Sequence, residues 1–427
     1  MRDIVLVLAL IAGLGVTFRY PFAGVLLWAW FTIQQPQQEA YGFAKSLPLN
    51  LILAVVTLLS LMFSKERKSL RMDMSFWLII IFLFWMTINA VFAVDPGTSW
   101  GLWDRAWKII VFGVLVGITA NSKVRIHALI WAVTISLLYY GIKGGLFTIL
   151  SGGHNHVLGP QHSAIRDNNE LALALLMIMP LANYLRLYSA NRFIRLGFAA
   201  SLVLTTISIL GSYSRGAYLA MAGLVVVAWW RSRNKFIYPI AAAAVIIPGL
   251  YLMPQSFYDR IASINNIDTD QSVQGRFTAW QVAFHAAVDH FPLGVGFSGA
   301  DDPRIFNHYF PGAVTHVAHS IYFQVLGDHG FIGLAIYLCI LALAFWNTFQ
   351  IMKVTKGKLE FAWARDLAAM IQLSLLAFCT GGAALSVAYY DLFIIYIGLL
   401  PAIRELVSQP AATRKVVAAH AFAPAAE

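Results

Sequence analysis

The chain has 427 residues, of which 59% are hydrophobic and 12% are charged, and its mean hydropathy is +0.69. Soluble domains carry roughly twice that charged fraction, so the composition excludes a soluble globular protein and predicts an integral membrane protein. The formal net charge of +10 would also suit a nucleic-acid-binding protein. The basic residues, however, lie in short connectors between apolar segments, which is typical of membrane proteins and argues against a nucleic-acid partner.

Apolar stretches of about 20 residues, long enough to cross a bilayer as helices, recur along the chain. They predict an all-α polytopic membrane protein with about twelve transmembrane helices. The predicted spans are 4–33, 48–63, 75–94, 106–120, 126–149, 168–185, 193–211, 215–230, 236–253, 319–352, 366–385 and 388–404. The first span contains Arg19 and Pro21, so we expect a kink or two half-helices there, and we count it as one crossing.

The charges of the connectors predict the orientation. Twenty of the 30 basic residues fall on one side of this arrangement, which the positive-inside rule assigns to the cytoplasm. They include Arg2 and the C-terminal Arg404, Arg414 and Lys415. Both termini are then predicted to be cytoplasmic. Residues 1–253 would hold helices one to nine, 254–318 a large periplasmic loop, 319–405 helices ten to twelve, and 406–427 a disordered cytoplasmic tail.

Several basic residues fall on the outer side, where the positive-inside rule does not require them. We single out Lys143, Arg166, Arg215 and Arg276. Arginine binds phosphate oxygens bidentately and stays charged at physiological pH, so this group is suited to a lipid-linked diphosphate. Simpler roles remain open for three of them: snorkelling for Arg215, pairing with a neighbouring carboxylate for Arg166, and a partner inside the protein for Lys143.

Two histidines stand where the loop meets the next apolar span. His316 and His319 are three residues apart, and at the start of a helix they would share one face. A histidine there could be structural, or it could accept a proton near neutral pH. Metal binding is not predicted, because no third histidine or carboxylate follows at ligand spacing. Asp391 is a candidate to orient a histidine, whereas Asp301 and Asp302 are read as turn residues.

The loop also contains a predicted amphipathic helix. Phe277, Trp280, Phe284 and Ala287 recur at helical spacing, and Pro292 with the two glycines Gly294 and Gly296 ends the helix with a turn. We expect this helix to lie on the membrane surface or to cap a cavity. The Asp268-Thr269-Asp270 run is not interpreted as a metal site.

These residues resemble motifs of the O-antigen ligase family and its Wzy-like relatives, which are bacterial polytopic glycosyltransferases. The resemblance covers roughly residues 165–340. The matching pieces are Asn168-Asn169-Glu170-Leu171-Ala172, Ser214-Arg215-Gly216, Arg276-Phe277-x-x-Trp280, Pro292-x-Gly294-x-Gly296 and His319-Ser320-x-Tyr322-x-x-x-Leu326-Gly327-x-x-Gly330-x-x-Gly333. Ser320 departs from the family, which usually has asparagine after the histidine.

The resemblance implies a GT-C-like enzyme of the bacterial inner membrane that transfers a polysaccharide from undecaprenyl diphosphate to a lipid A-core acceptor at the periplasmic face, without a metal or other cofactor. His319 and Arg215 would be catalytic, and Arg166, Arg276 and Lys143 would help bind the donor diphosphate. His316, Tyr322 and Asp391 are possible supporting residues. Two alternatives use the same donor, an O-antigen polymerase and a protein O-oligosaccharyltransferase. A flippase or transporter of lipid-linked sugars is an alternative of another class.

Overall fold

The structure, a computed structural model, describes residues 2–64, 72–161, 163–232, 235–262 and 271–409. It is all-helical, with 79% helix and no strand among the described residues, which confirms the all-α part of the predicted fold. The first eight α-helices are α1 (Arg2–Arg19), α2 (Pro21–Ile33), α3 (Leu49–Phe63), α4 (Met74–Val91), α5 (Pro96–Thr119), α6 (Lys123–Leu150), α7 (Asn168–Tyr188) and α8 (Arg192–Leu210). The next eight are α9 (Arg215–Arg231), α10 (Ile237–Tyr251), α11 (Gln255–Ala262), α12 (Gln271–Asp289), α13 (Pro303–Tyr309), α14 (Ile321–Val354), α15 (Ala362–Gly382) and α16 (Asp391–Ser408).

The length and apolar character of these helices mark a multi-pass membrane protein. Among the described residues, six helical stretches are long and apolar enough to cross a bilayer: Met74–Val91, Lys123–Leu150, Asn168–Tyr188, Arg192–Leu210, Ile321–Val354 and Leu359–Gly382. Shorter apolar helices occupy Pro21–Ile33, Leu49–Phe63 and Pro239–Tyr251. The total of twelve crossings and the periplasmic position of residues 254–318 stay predictions.

The prediction that residues 4–33 make one crossing is wrong, because α1 and α2 form an antiparallel hairpin. A β-carbon placed on Gly13 would lie 2.7 Å from Leu27 Cδ1, and one on Gly24 would lie 2.5 Å from Thr17 Cγ2. Contacts between residues 13 and 27 and between 17 and 24 require the chain to reverse. It does so at Tyr20, because Pro21 begins a new helix rather than continuing the first.

The hairpin also changes the predicted position of the N-terminus. The Asp3 carboxylate accepts hydrogen bonds from the backbone N–H groups of Gly42 and Ala44 (3.0 and 3.1 Å), so α1 begins beside the segment after α2. Arg404, near the end of α16, instead pairs with Asp73 at the start of α4 (3.2 Å). Gly398 of α16 packs on Gly117 near the end of α5, and the next helix carries Arg125 in its first turn, beside Phe22 at the start of α2. Arg404 thus lies at the end of the bundle where α2 begins, and Arg2 lies at the opposite end. The structure therefore contradicts the expectation that both termini share one face.

We call the end that carries Arg404 the basic end, and the opposite end, which carries residues 211–214, 311–320 and 383–390, the site end. Arg19 closes α1 near the basic end, where Ser60 donates a hydrogen bond to the neighbouring Thr17 carbonyl (2.6 Å). The guanidinium of Arg125 lies 5.1 Å from the Phe22 ring in the same region. Arg19 thus joins the basic connectors at this end and takes the place of Arg2.

The predicted loop helix exists as α12, and it packs along the start of α14. Trp280 stacks on Phe323 (ring centroids 4.9 Å apart), and Phe284 meets Phe331 edge to face (5.9 Å). The second contact lies further along both helices than the first, so α12 runs parallel to the first turns of α14. Ala287 is buried as its spacing suggests, whereas Phe277 and Phe284 remain about half exposed on the outer side.

Helix α14 contains a break at Gly330, whose φ is +68°. A β-carbon at this position would lie 2.5 Å from the Leu293 carbonyl oxygen, so only glycine permits both this conformation and the close approach of the Pro292 turn. The turn is held there by backbone bonds from Val295 and Gly296 to the carbonyls of residues 327 and 328 (2.9 and 3.1 Å).

Some predictions fall on residues that the structure does not describe. These are the Asp268-Thr269-Asp270 run, the connector at 65–71 and most of the predicted tail, residues 410–427. Helix α16 itself continues to Ser408.

Candidate active site

Two of the predicted motifs meet directly at the site end. The Asn168 side-chain amide donates a hydrogen bond to the Ser212 backbone carbonyl (2.5 Å), which joins the start of α7 to the turn before α9. Asp167 caps α7 by accepting from the Asn169 N–H (2.9 Å), and Ser214 caps α9 by accepting from the Ala217 N–H (3.3 Å). Arg166 and Arg215 therefore stand next to two helix N-termini that are tied together.

His319 does not lie on a helix as predicted. Helix α14 begins at Ile321, and His319 precedes it in the left-handed region with a φ of +43°, so His316 and His319 do not share a helix face. A non-glycine residue in this conformation is uncommon and is often found at functional sites. His319 is half-buried, and the next residue, Ser320, is buried.

The segment before His319 packs against the N-terminal half of α12. The His316 ring lies over Gly275, where an added β-carbon would be 2.7 Å from the ring. Arg276 follows Gly275 in the same turn and is half-buried. The motif of α12 and the histidine motif, 40 residues apart in sequence, are thus brought together by this contact.

The electrostatic surroundings of His319 connect these two groups of residues. Burial lowers the pKa of His319, and the positive charge of Arg276 lowers it further. Asp167 acts in the opposite direction and raises this pKa, while His316 lowers it slightly. Arg276 and the Asp167 cap of α7 therefore both act electrostatically on His319, and the net result favours the neutral imidazole.

The C-terminal end of α15 links the Arg215 turn to the start of α14. A β-carbon on Gly216 would lie 3.5 Å from Ala384 Cβ, and one on Gly382 would lie 3.0 Å from Ile321 Cδ1. The Tyr322 hydroxyl donates a hydrogen bond to the Cys379 carbonyl (3.1 Å). Tyr322 therefore anchors α14 to α15, and Arg215 and His319 flank the same helix end.

Two other predicted site residues have different partners. Lys143 forms an ion pair with Glu39 (2.8 Å), on the side of α6 that faces the segment after α2. Asp391, at the start of α16, is buried and lies 3.8 Å from Arg105, so its cationic partner is this arginine rather than His319. Arg105 also interacts electrostatically with Glu170, near the start of α7.

The structure adds two residues that sequence reasoning did not place in the site. Trp280 donates a hydrogen bond from its indole N–H to the Ala318 carbonyl, directly before His319 (2.6 Å). Burial raises the pKa of Asp301 to about 7, and an interaction with the Ala318 N–H offsets part of this effect. Trp280 was visible in the α12 motif but was read only as an apolar residue, and no sequence signal distinguished Asp301 from a turn residue.

Two stretches of the chain match known family models. Residues 1–190 match a family of unknown function, DUF5935, and residues 200–338 match the O-Antigen ligase family. Residues 200–338 form an O-antigen ligase family domain. A search of curated proteins gives no match. The O-antigen ligase domain includes Arg215, Arg276, His316, His319 and Tyr322, which confirms the family resemblance read from the sequence. Arg166 and Lys143 fall within the first match, and Asp391 lies beyond both.

Proposed function

We propose that the protein is an inverting glycosyltransferase of the bacterial inner membrane that acts as an O-antigen ligase. It would transfer a polysaccharide from undecaprenyl diphosphate to a lipid A-core acceptor at the periplasmic face. The family match supports a membrane enzyme of the ligase or polymerase type. The observation that carries the proposal is the convergence of the motif-bearing segments on His319, through the bond between Asn168 and Ser212 and the electrostatic influence of Arg276 and Asp167.

His319 would act as the general base. Its lowered pKa keeps the imidazole neutral, so it can accept the proton of an acceptor hydroxyl group. The hydroxyl oxygen then bonds to the anomeric carbon of the donor sugar as the bond from that carbon to the diphosphate breaks. A single displacement of this kind inverts the configuration at the anomeric carbon.

Arginine side chains would take the charge that the leaving diphosphate acquires. Arg215 stands at the first residue of α9, with Arg166 beside the joined α7 and Arg276 beside His319. Guanidinium groups bind diphosphate oxygens bidentately, and the N-terminus of a helix adds favourable backbone dipoles. These groups can neutralise the charge without a metal ion. We leave Lys143 out of this set because Glu39 neutralises it.

The apolar helices beneath the site would hold the polyprenyl tail of the donor in the bilayer while its diphosphate sits at the level of the arginines. Tyr322 would support the site by fixing the start of α14 on α15. His316 would support it by packing α12 against the segment that carries His319.

The test uses purified protein in liposomes with undecaprenyl-diphosphate-linked glycan and lipid A-core, scored for joined product. His319→Ala should lower transfer by about 10²–10⁴-fold, as expected for loss of a general base. Arg215→Gln should lower kcat/KM for the donor by about 10- to 100-fold, the effect of losing a charge-assisted hydrogen bond of roughly 1.5–3 kcal/mol.

Matched controls are available on the same side of the protein. His308 is exposed on α13, and Arg304 is an exposed arginine paired with Asp302 (2.6 Å). His308→Ala and Arg304→Gln should therefore keep wild-type transfer. Full transfer activity in His319→Ala would refute the role of His319 as the general base. A product extended on the donor glycan, or joined to protein, would instead identify a polymerase or a protein O-oligosaccharyltransferase, and movement of the lipid without joining would identify a flippase.

A further inference from the structure

The backbone directly before His319 is fixed by a tryptophan from a different helix. Trp280 of α12 donates its indole N–H to the Ala318 carbonyl (2.6 Å). The same ring lies flat against Phe323 in the first turn of α14, with ring planes only 5° apart. Trp280 therefore contacts the chain on both sides of His319, through a polar bond before it and a ring stack after it.

These two contacts flank His319, whose backbone conformation is sterically unfavourable. His319 has a φ of +43°, where an L-residue with a side chain experiences a steric clash between its β-carbon and the backbone. Such a conformation persists only when the surrounding structure fixes it. Ala318 is buried, so its carbonyl depends on a protein partner, and Trp280 supplies one.

The backbone N–H of Ala318 also has a neighbour. This N–H interacts with the carboxyl group of Asp301, in the short 3-10 helix Gly299–Asp301. That helix is tied to α14 in turn, because the Ser298 N–H donates to the Asp328 carboxylate (2.8 Å). The Ala318 carbonyl thus accepts a hydrogen bond from Trp280, and its N–H contributes to the electrostatic surroundings of Asp301.

We propose that Trp280 is a positioning residue that holds His319 in its left-handed conformation and so aims its imidazole at the acceptor hydroxyl, with Asp301 assisting from the other edge of Ala318. The proposal rests on the proposed function in one respect, that His319 is the base. It assigns α12 a role beyond covering the site: α12 carries Arg276 and, one turn later, the residue that orients the base.

The decisive variant is Trp280→Phe, which retains an aromatic ring to stack on Phe323 but lacks the N–H donor. Trp229 offers a matched control, because its indole N–H also bonds a backbone carbonyl, that of Lys235 (2.9 Å), at the basic end. Trp280→Phe should lower kcat about 10-fold and leave the donor KM within twofold, since donor binding is unchanged. Trp229→Phe should leave both constants within twofold of wild type.

A second measurement does not depend on transfer. Diethyl pyrocarbonate modifies histidines at a rate set by their exposure and protonation, and mass spectrometry reads the His319 peptide separately. Release of the Ala318 carbonyl should raise the modification rate of His319 at least threefold in Trp280→Phe and leave it unchanged in Trp229→Phe. Equal kcat and equal His319 labelling in Trp280→Phe and wild type would overturn the proposal.

The other side of Ala318 provides a variant if Trp280→Phe does not fold. Asp301→Ala, which removes the acceptor oxygens next to the Ala318 N–H, should change kcat and His319 labelling in the same direction. The neighbouring Asp302→Ala, which removes the cap of α13 instead, should change neither. If wild-type protein joined no sugars, the proposed function would fail, while the labelling experiment would still decide whether Trp280 holds His319.

Discussion

The bond between Asn168 and Ser212 gives the sharpest test of the assembled site. Asn168→Ala removes the amide that donates to the Ser212 carbonyl over 2.5 Å. Ser212 is 1% exposed, so water does not readily replace the lost donor. Leaving a buried carbonyl without its partner costs about 1–3 kcal/mol, and this cost falls on the contact between the start of α7 and the Arg215 turn.

If the contact serves to place Arg215 and Arg166 around the donor, the same 1–3 kcal/mol appears as a loss of about 5- to 150-fold in kcat/KM for the donor. The assay is liposome transfer at limiting donor, with thermal unfolding measured on the same preparations. Asn183→Ala is the control, because the Asn183 side chain bonds Arg186 (2.9 Å) near the other end of the same helix. It should change stability without changing kcat/KM.

A double-mutant cycle separates placement from simple loss of stability. If Asn168 acts by placing Arg215, the two substitutions Asn168→Ala and Arg215→Gln should be less than additive in kcat/KM, because Arg215 must be present for its placement to matter. Full additivity, or an Asn168→Ala enzyme that is destabilised but turns over donor normally, would refute the reasoning that this bond assembles the site.

Two further predictions concern the base and the topology. Since Arg276 lowers the pKa of His319, Arg276→Gln should raise that pKa and move the acidic limb of the kcat profile at saturating donor to higher pH; an unmoved limb would remove Arg276 from the surroundings of the base. The helical hairpin predicts that a cysteine placed at Arg2 reacts with a membrane-impermeant maleimide from the same side as one placed at His308, whereas a cysteine placed at Arg19 is protected from that side. Reaction of the cysteines at positions 19 and 308 from the same side would contradict the hairpin.

The helical fold could be predicted because it depends on local composition. Long apolar segments without charges specify membrane helices wherever they occur in a chain, and a helix satisfies its own backbone polar groups. The direction in which such a segment crosses the bundle depends less on local composition. Arg19 and Pro21 indicated an interruption, but a kink and a full reversal give the same sequence signal. Only the packing of Gly13 on Leu27 and of Gly24 on Thr17 decides for the hairpin.

The features of the candidate site also divide into those set by the sequence and those set by the tertiary structure. The sequence by itself determined which residue types could bind a diphosphate and accept a proton, and motif order indicated Arg215, Arg276 and His319, because these chemical properties belong to single side chains. The tertiary structure decided their partners: Glu39 for Lys143, Arg105 for Asp391, and Trp280 for the backbone before His319. Those pairings join residues between 38 and 286 positions apart, and no local pattern encodes them. They arise only when burial brings distant polar groups together and each must find a partner within hydrogen-bonding distance.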